Sequence, residues 1–128
     1  MNKPLIEVAA ALIKKNGKFL LCLRKPDDHY GDLWEFPGGK IEAGETAQAA
    51  IVREMKEELG IDVRAVDLAG EFYDEDDALI IKVFLVCCDI VGGEPQALDC
   101  QDWGFFSSQE IKKLALAPAD KKICKKIL

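Results

Sequence analysis

Apolar residues recur along this chain with two different periods, and the change from one to the other marks out its elements. Residues 5–13, LIEVAAALI, are rich in Val, Ile, Leu and Ala and read as a strand, and Phe19–Leu23 reads as its return. Between them KKNGK carries Asn16-Gly17, a strong hairpin signal because a two-residue turn needs positive φ at both central positions. Residues 25–32 are polar, with Pro26 and Gly31, and predict a loop. Trp34–Phe36 predicts a short strand stopped by Pro37, Gly38 and Gly39. The period then becomes helical: Ala50, Ile51 or Val52, Met55 and Leu59 recur over Thr46–Leu59. Thr46 suits the N-cap and Gly60 the C-terminal stop. Val63–Tyr73 and Ala78–Ile90 predict two further strands joined by the acidic turn Asp74–Asp77, and residues 91–98 predict a loop. Trp103–Phe106 predicts a short strand. Ser107 or Ser108 then caps a helix to Leu114, and Ala119–Ile127 predicts a last helix. Strands in antiparallel hairpins with a few helices imply an α/β (α+β) layered domain, and 128 residues suit one core spanning 1–128.

Composition narrows the function classes. The net charge is −6 and the pI about 4.8, which disfavours a protein that coats a nucleic-acid polymer. No apolar run approaches the roughly 20 residues of a membrane span. The short apolar run near the N-terminus leads into Lys14 and Lys15 with no small-residue cleavage site, so a cytoplasmic location and no membrane partner are expected. None of the five cysteines forms a C-x-x-C pair, which argues against a zinc site and for reduced, mostly buried thiols.

The candidate chemistry lies in REMKEELG. Glu54, Glu57 and Glu58 fall at i, i+3 and i+4, on one face of the predicted helix. Like charges at that spacing repel. In isolation such a pattern is most simply a solvated face. A hard divalent cation, Mg²⁺ or Mn²⁺, is the partner that would relieve the repulsion and still engage phosphates. Upstream, Pro37-Gly38-Gly39 offers backbone amides and carbonyls close to the helix start, and Arg53 is placed to pair with Glu45.

These residues resemble the Nudix box, G-x5-E-x7-R-E-U-x-E-E-x-G-U with U aliphatic. Gly39, Glu45, Arg53, Glu54, Met55, Glu57, Glu58, Gly60 and Ile61 meet every fixed position, and WEFPGGKIEAGET is similar to the MutT-like entry to the box. The resemblance implies a Nudix-type α/β/α sandwich with a mixed sheet and a loop-helix-loop motif. It implies that Glu54, Glu57, Glu58 and the Gly38 carbonyl hold metal, that Glu45 and Arg53 form an orienting pair, and that Glu54 or Glu57 serves as base. Asp99 matches the place of a further downstream acidic residue, with Asp102 its competitor. The implied reaction is hydrolysis of a nucleoside triphosphate by metal-activated water, releasing monophosphate and pyrophosphate.

Substrate choice lies outside the box. Arg24 and His29 match positions near the nucleotide in MutT-like enzymes, although a surface strand residue and a solvated loop residue are the simpler readings. LAPAD places Asp120 where guanine-reading members carry Asn, and resembles bacterial CTP pyrophosphohydrolases. A carboxylate accepts from the cytosine N4 amino group, whereas a protonated one also donates, which keeps an 8-oxo-dGTP diphosphatase acting in DNA repair open. A helix N-cap is the plainer role for Asp120. Tyr73 and Phe84 are candidates to line a base pocket, and Trp34 and Trp103 read as core. The lysines from Lys121 to Lys126 read as a wet helix face. A catalytically silent nucleotide-binding regulator is the remaining alternative, and the partners expected are a nucleoside triphosphate and, at most, a second copy of the chain, as monomer or homodimer.

Overall fold

A computed structural model describes residues 3–128. The strands are β1 (Leu5–Leu12), β2 (Lys14–Lys15), β3 (Lys18–Leu23), β4 (Trp34–Glu35), β5 (Gly38–Lys40), β6 (Asp62–Glu75), β7 (Ile80–Gly92) and β8 (Asp102–Phe106). The helices are α1 (Ala47–Leu59), α2 (Ser108–Ile111) and α3 (Pro118–Ile127). One sheet runs β5-β1-β7-β6. Its β1–β7 pair is parallel, from Leu5 opposite Ile80 to Leu12 opposite Cys87, whereas β1–β5 and β6–β7 are antiparallel, so the sheet is mixed. The second sheet is centred on β3, which pairs antiparallel with β2, β4 and β8.

Alternation along the central strands builds two apolar layers. Ala9 and Ala11 of β1, Leu20 and Cys22 of β3, and Val86 and Cys88 of β7 pack with Ala50, Ile51, Met55 and Leu59 of α1. Ala10, Leu21, Val83 and Leu85 face the other way, onto Ile111, Leu116 and Ile123. The result is the layered α/β/α arrangement expected from the sequence. The alanines of β1 keep that central strand thin, so helices approach it from both faces.

Local signals set several boundaries. Asn16 and Gly17 have φ of 53° and 76°, as the hairpin reading requires. The Thr46 side chain accepts from Ala49 N–H at 3.0 Å, and Gly60, at φ 69°, ends α1 with its N–H on the Lys56 carbonyl.

Other expectations are corrected. Gly38–Lys40, read as a stop, is strand β5. A side chain at Gly38 would overlap the Ala9 carbonyl oxygen, and its absence is what lets this segment close on β1. The β6–β7 hairpin is longer than expected and turns at residues 76–79, where Asp76 N–H donates to the Leu79 carbonyl at 3.0 Å. The helix after Ser107 ends at Ile111 and not Leu114; Lys113 and Leu114 make tighter turn bonds to the Glu110 and Ile111 carbonyls. The last helix begins at Pro118, which occupies a first-turn position that needs no N–H donor. Trp34 packs edge-on against Phe106 at 5.0 Å, and Trp103 against Phe105 at 6.1 Å, both at the margins of the core. Lys122 is not only a wet-face residue: its Nζ donates to the Tyr73 carbonyl at 2.7 Å and pairs with Asp74 at 3.0 Å.

Candidate active site

Arg53 is the hub of the carboxylate cluster on α1. Its Nε and Nη2 donate to Glu45 Oε2 and Oε1 at 2.7 and 2.9 Å, a fork-on-carboxylate pair. Nη1 reaches Glu54 Oε1 at 2.8 Å and Glu57 Oε2 at 3.2 Å, and Nη2 also donates to the Lys40 carbonyl at 2.9 Å. Glu45 Oε1 accepts from Glu42 N–H at 2.9 Å. The Arg53 hydrogen bond, then the Glu42 amide, hold the Glu45 carboxyl down at about 2. One guanidinium thus ties the loop before α1, strand β5 and the helix itself into one unit.

The three glutamates sit in graded environments. Glu57 is exposed. Glu54 is half-buried, and burial raises its carboxyl against the opposing pull of Arg53, with the charges of Glu57 and Asp99 adding to the rise. Its carboxylate occupies the space a side chain at Gly39 would fill, so the box glycine is what admits it. Glu58 is only 7% exposed, and its Oε1 has no hydrogen-bond partner. Burial, then the charge of Glu35, pushes its carboxyl up to about 9.

Asp99 is delivered to this cluster by the C-terminus of α1. Gln96 N–H donates to the Leu59 carbonyl at 2.9 Å, and the N–H groups of Leu98 and Asp99 donate to the Glu58 carbonyl at 3.1 and 3.2 Å. Carbonyls that a helix end leaves unpaired therefore dock the 96–99 segment. The Asp99 side chain takes Lys25 Nζ at 2.7 Å. Asp102, its competitor, turns to its own strand and accepts from Trp103 N–H at 2.8 Å.

The donor set fits a hard cation. It offers carboxylate oxygens and a backbone carbonyl, and it contains one buried carboxylate oxygen that nothing in the protein satisfies. Among the described residues no three acidic, histidine or cysteine side chains converge on one point; Glu54 and Glu57 are drawn onto Arg53 instead.

Beside the cluster lies a cavity of about 120 Å³. Gly38 and Gly39 line it, Gly39 lying against the Glu54 carboxylate, and Ala10, Phe36, Ile81 and Val83 give it apolar walls. Arg24, His29 and Asp120, all chosen from sequence, line it together. Arg24 is not a free surface residue: Nη1 pairs with Glu35 Oε1 at 2.7 Å and Nε donates to the His29 carbonyl at 2.7 Å. Asp120 is not an N-cap, since that position is Ala117 and uses no side chain. It is 7% exposed, and its Oδ1 accepts from Phe36 N–H at 2.9 Å. Burial, then the charge of Glu35, raises its carboxyl well above the usual range. Tyr73 and Phe84, candidates for a base pocket, lie outside this cavity; Tyr73 borders a separate groove.

Sequence reading missed Glu35 and Tyr30, which also line the cavity. Glu35 lines the cavity beneath Arg24, and its charge reaches both Glu58 and Asp120. The only sequence signal for it was a charged residue inside the otherwise apolar WEF strand.

The model of the NUDIX domain family matches residues 3–127. The chain is 37% identical over 116 residues to the CTP pyrophosphohydrolase of Escherichia coli (strain K12), covering 91% of this chain and 86% of that protein. It is 32% identical over 129 residues to the 8-oxo-dGTP diphosphatase of Haemophilus influenzae, covering 100% and 95%. The MutT NUDIX hydrolase from Burkholderia pseudomallei superposes with a TM-score of 0.88 at 25% identity, covering 98% of this chain and 100% of the other.

Proposed function

The chain belongs to the NUDIX domain family, and from that premise we propose that it is a MutT-like nucleoside triphosphate pyrophosphohydrolase whose preferred substrates are cytosine nucleotides, modified dCTP among them. One observation carries the hydrolase reading: Gly39, which lines the cavity, lies directly against the Glu54 carboxylate, so the cluster and the cavity adjoin there. A base seated in the cavity would direct its phosphates past Gly39 toward Glu54.

The reading divides the roles. Glu54, Glu57, Glu58 and the Gly38 carbonyl would hold a divalent cation, Mg²⁺ or Mn²⁺. Such a cation, when bound, neutralises phosphate charge and lowers the pKa of a water. Arg53 and Glu45 brace the loop and present Glu54 and Glu57. Glu54 or Glu57 takes the proton of the attacking water. Asp99, whose charge reaches Glu54, supports the same site. At the other end Asp120 keeps Oδ2 for the ligand while Oδ1 is held by Phe36, and Arg24 and His29 complete the polar lining.

The second reading is an 8-oxo-dGTP diphosphatase that cleans the nucleotide pool. The raised carboxyl of Asp120 favours it, because a protonated acid both donates and accepts, as a guanine edge requires. A regulator that only binds nucleotide has no use for the Arg53-braced carboxylates. The test is a nucleotide panel with Mg²⁺, read as monophosphate and pyrophosphate. Turnover of dCTP or 5-substituted dCTP above 8-oxo-dGTP supports the first reading, and the reverse order supports the second. Binding without turnover of any member would leave the regulator.

A further inference from the structure

The loop between β3 and β4 forms one lip of the cavity and the β6–β7 hairpin forms the facing lip, through His29 and Tyr30 on one side and Asp74 on the other. The loop is polar and has little apolar anchorage of its own. Within it Tyr30 has φ 55°, a left-handed conformation unfavourable for a bulky aromatic residue, so something outside the loop holds it there. Besides the Arg24 bond to the His29 carbonyl and the Gln101 bond to Asp32, the partner that reaches Tyr30 itself is Asp76, two residues beyond Asp74 at the hairpin tip. Its two carboxylate oxygens divide their work. Oδ1 accepts from Ala78 N–H at 2.8 Å and Leu79 N–H at 2.9 Å, which locks the acid into its own turn. Oδ2 meets His29 Nε2 at 2.9 Å and accepts from the Tyr30 hydroxyl at 3.1 Å, across 47 and 46 residues of chain. The His29 and Tyr30 rings lie against each other at 4.2 Å, so one oxygen grips both.

We propose that Asp76 is a positioning residue for nucleotide binding: anchored to the hairpin by one oxygen, it uses the other to hold His29 and Tyr30 over the cavity mouth. The proposal rests on the nucleotide-hydrolase reading above and deepens it. A loop held in place before the ligand arrives does not have to be ordered during binding, so the latch acts on affinity and leaves the chemical step alone.

The test uses Asp76→Ser, Tyr30→Phe and the double variant. Serine is a weaker turn-former that can still accept from the hairpin amides but is too short to reach the loop. Phenylalanine removes only the hydroxyl. With dCTP and Mg²⁺, each single variant should raise KM about tenfold, the factor that ~1.4 kcal/mol gives, with kcat within about twofold of wild type. The double variant should be no worse than Asp76→Ser, since that variant has already lost the Tyr30 hydroxyl contact. Unchanged KM in both singles, or singles whose effects multiply, would overturn the latch. Hydrogen exchange in the nucleotide-free protein separates this from a wrong substrate assignment. The loop amides of Asp28 and Asp32, bonded to the Lys25 and Arg24 carbonyls, should exchange about tenfold faster in both singles if the latch holds the loop. If wild type turns over no nucleotide, the hydrolase reading fails, and the exchange result still decides the latch: wild-type exchange rates in both variants would refute it.

Discussion

Replacing Glu58 with Gln should stabilise the cation-free protein at alkaline pH, although it removes a residue proposed to bind metal. The buried carboxyl titrates at about 9, driven first by burial and then by the charge of Glu35. In the unfolded chain the same group titrates near 4.5. Between those values the folded protein keeps a proton that the unfolded chain releases. Its folded pKa is raised, so its stabilising contribution is complete below about 4.5 and is lost as pH climbs toward 9. One such proton corresponds to a slope of about −1.4 kcal/mol per pH unit, or ~2.7 kcal/mol between pH 6 and 8. Glutamine keeps the shape and carries no titrating proton. Glu35 and Asp120, whose carboxyls are also raised by burial, remain in both proteins and largely cancel in the difference. Urea unfolding with a chelator at pH 6, 7 and 8 measures it. The wild-type curve should fall more steeply than the variant's by about 1.4 kcal/mol per unit, and parallel curves would refute the argument. Mg²⁺ requires the ionised carboxylate, so it should stabilise wild type more at pH 8 than at pH 6, with that difference reduced in Glu58→Gln.

Three further outcomes follow from the site. Asp99→Asn should lower kcat about 10–100-fold, whereas Asp102→Asn should change it little, because only Asp99 faces Glu54; steady-state kinetics of the two variants decide between them. Asp120→Asn should shift the ratio of kcat/KM for dCTP over dGTP toward guanine by about tenfold or more, since an amide both donates and accepts; an unchanged ratio would remove Asp120 from base reading. Arg53→Lys should lose most activity, because a single ammonium cannot keep the two-pronged Glu45 contact and also reach Glu54 and Glu57, and a wild-type rate would show that the brace is dispensable.

What could be read from the sequence was what local chemistry decides. Thr46 and Gly60 bound α1 through contacts within a few residues, and the Asn16-Gly17 turn is equally local, so both were legible. The box residues were legible because a motif of fixed spacing marks them and because helical spacing puts Glu54, Glu57 and Glu58 on one side of α1 without any tertiary information. Strand β5 was not, since Gly38–Lys40 extends only where a distant β1 accepts it and the bare glycine permits the approach. Asp120 was picked out by resemblance, but its burial was not legible for a similar reason. Its position in the chain suits a cap, but burial and the Phe36 amide, 84 residues away, take the side chain inward. Glu35 and Asp76 act through partners remote in sequence, and no period or motif marks such pairs.

On the proposed function, the Glu54, Glu57 and Glu58 cluster is a cation site for nucleotide hydrolysis and not a wet helix face. The most direct measurement is pyrophosphate release from dCTP and 8-oxo-dGTP with Mg²⁺, by wild type and Glu57→Gln, alongside the thermal midpoint of each. Glu57 is exposed, so its amide should leave the midpoint nearly unchanged. The account predicts pyrophosphate from wild type only with Mg²⁺ and a rate lower by about 100-fold in the variant. A Glu57→Gln protein that is folded and releases pyrophosphate at the wild-type rate would contradict it.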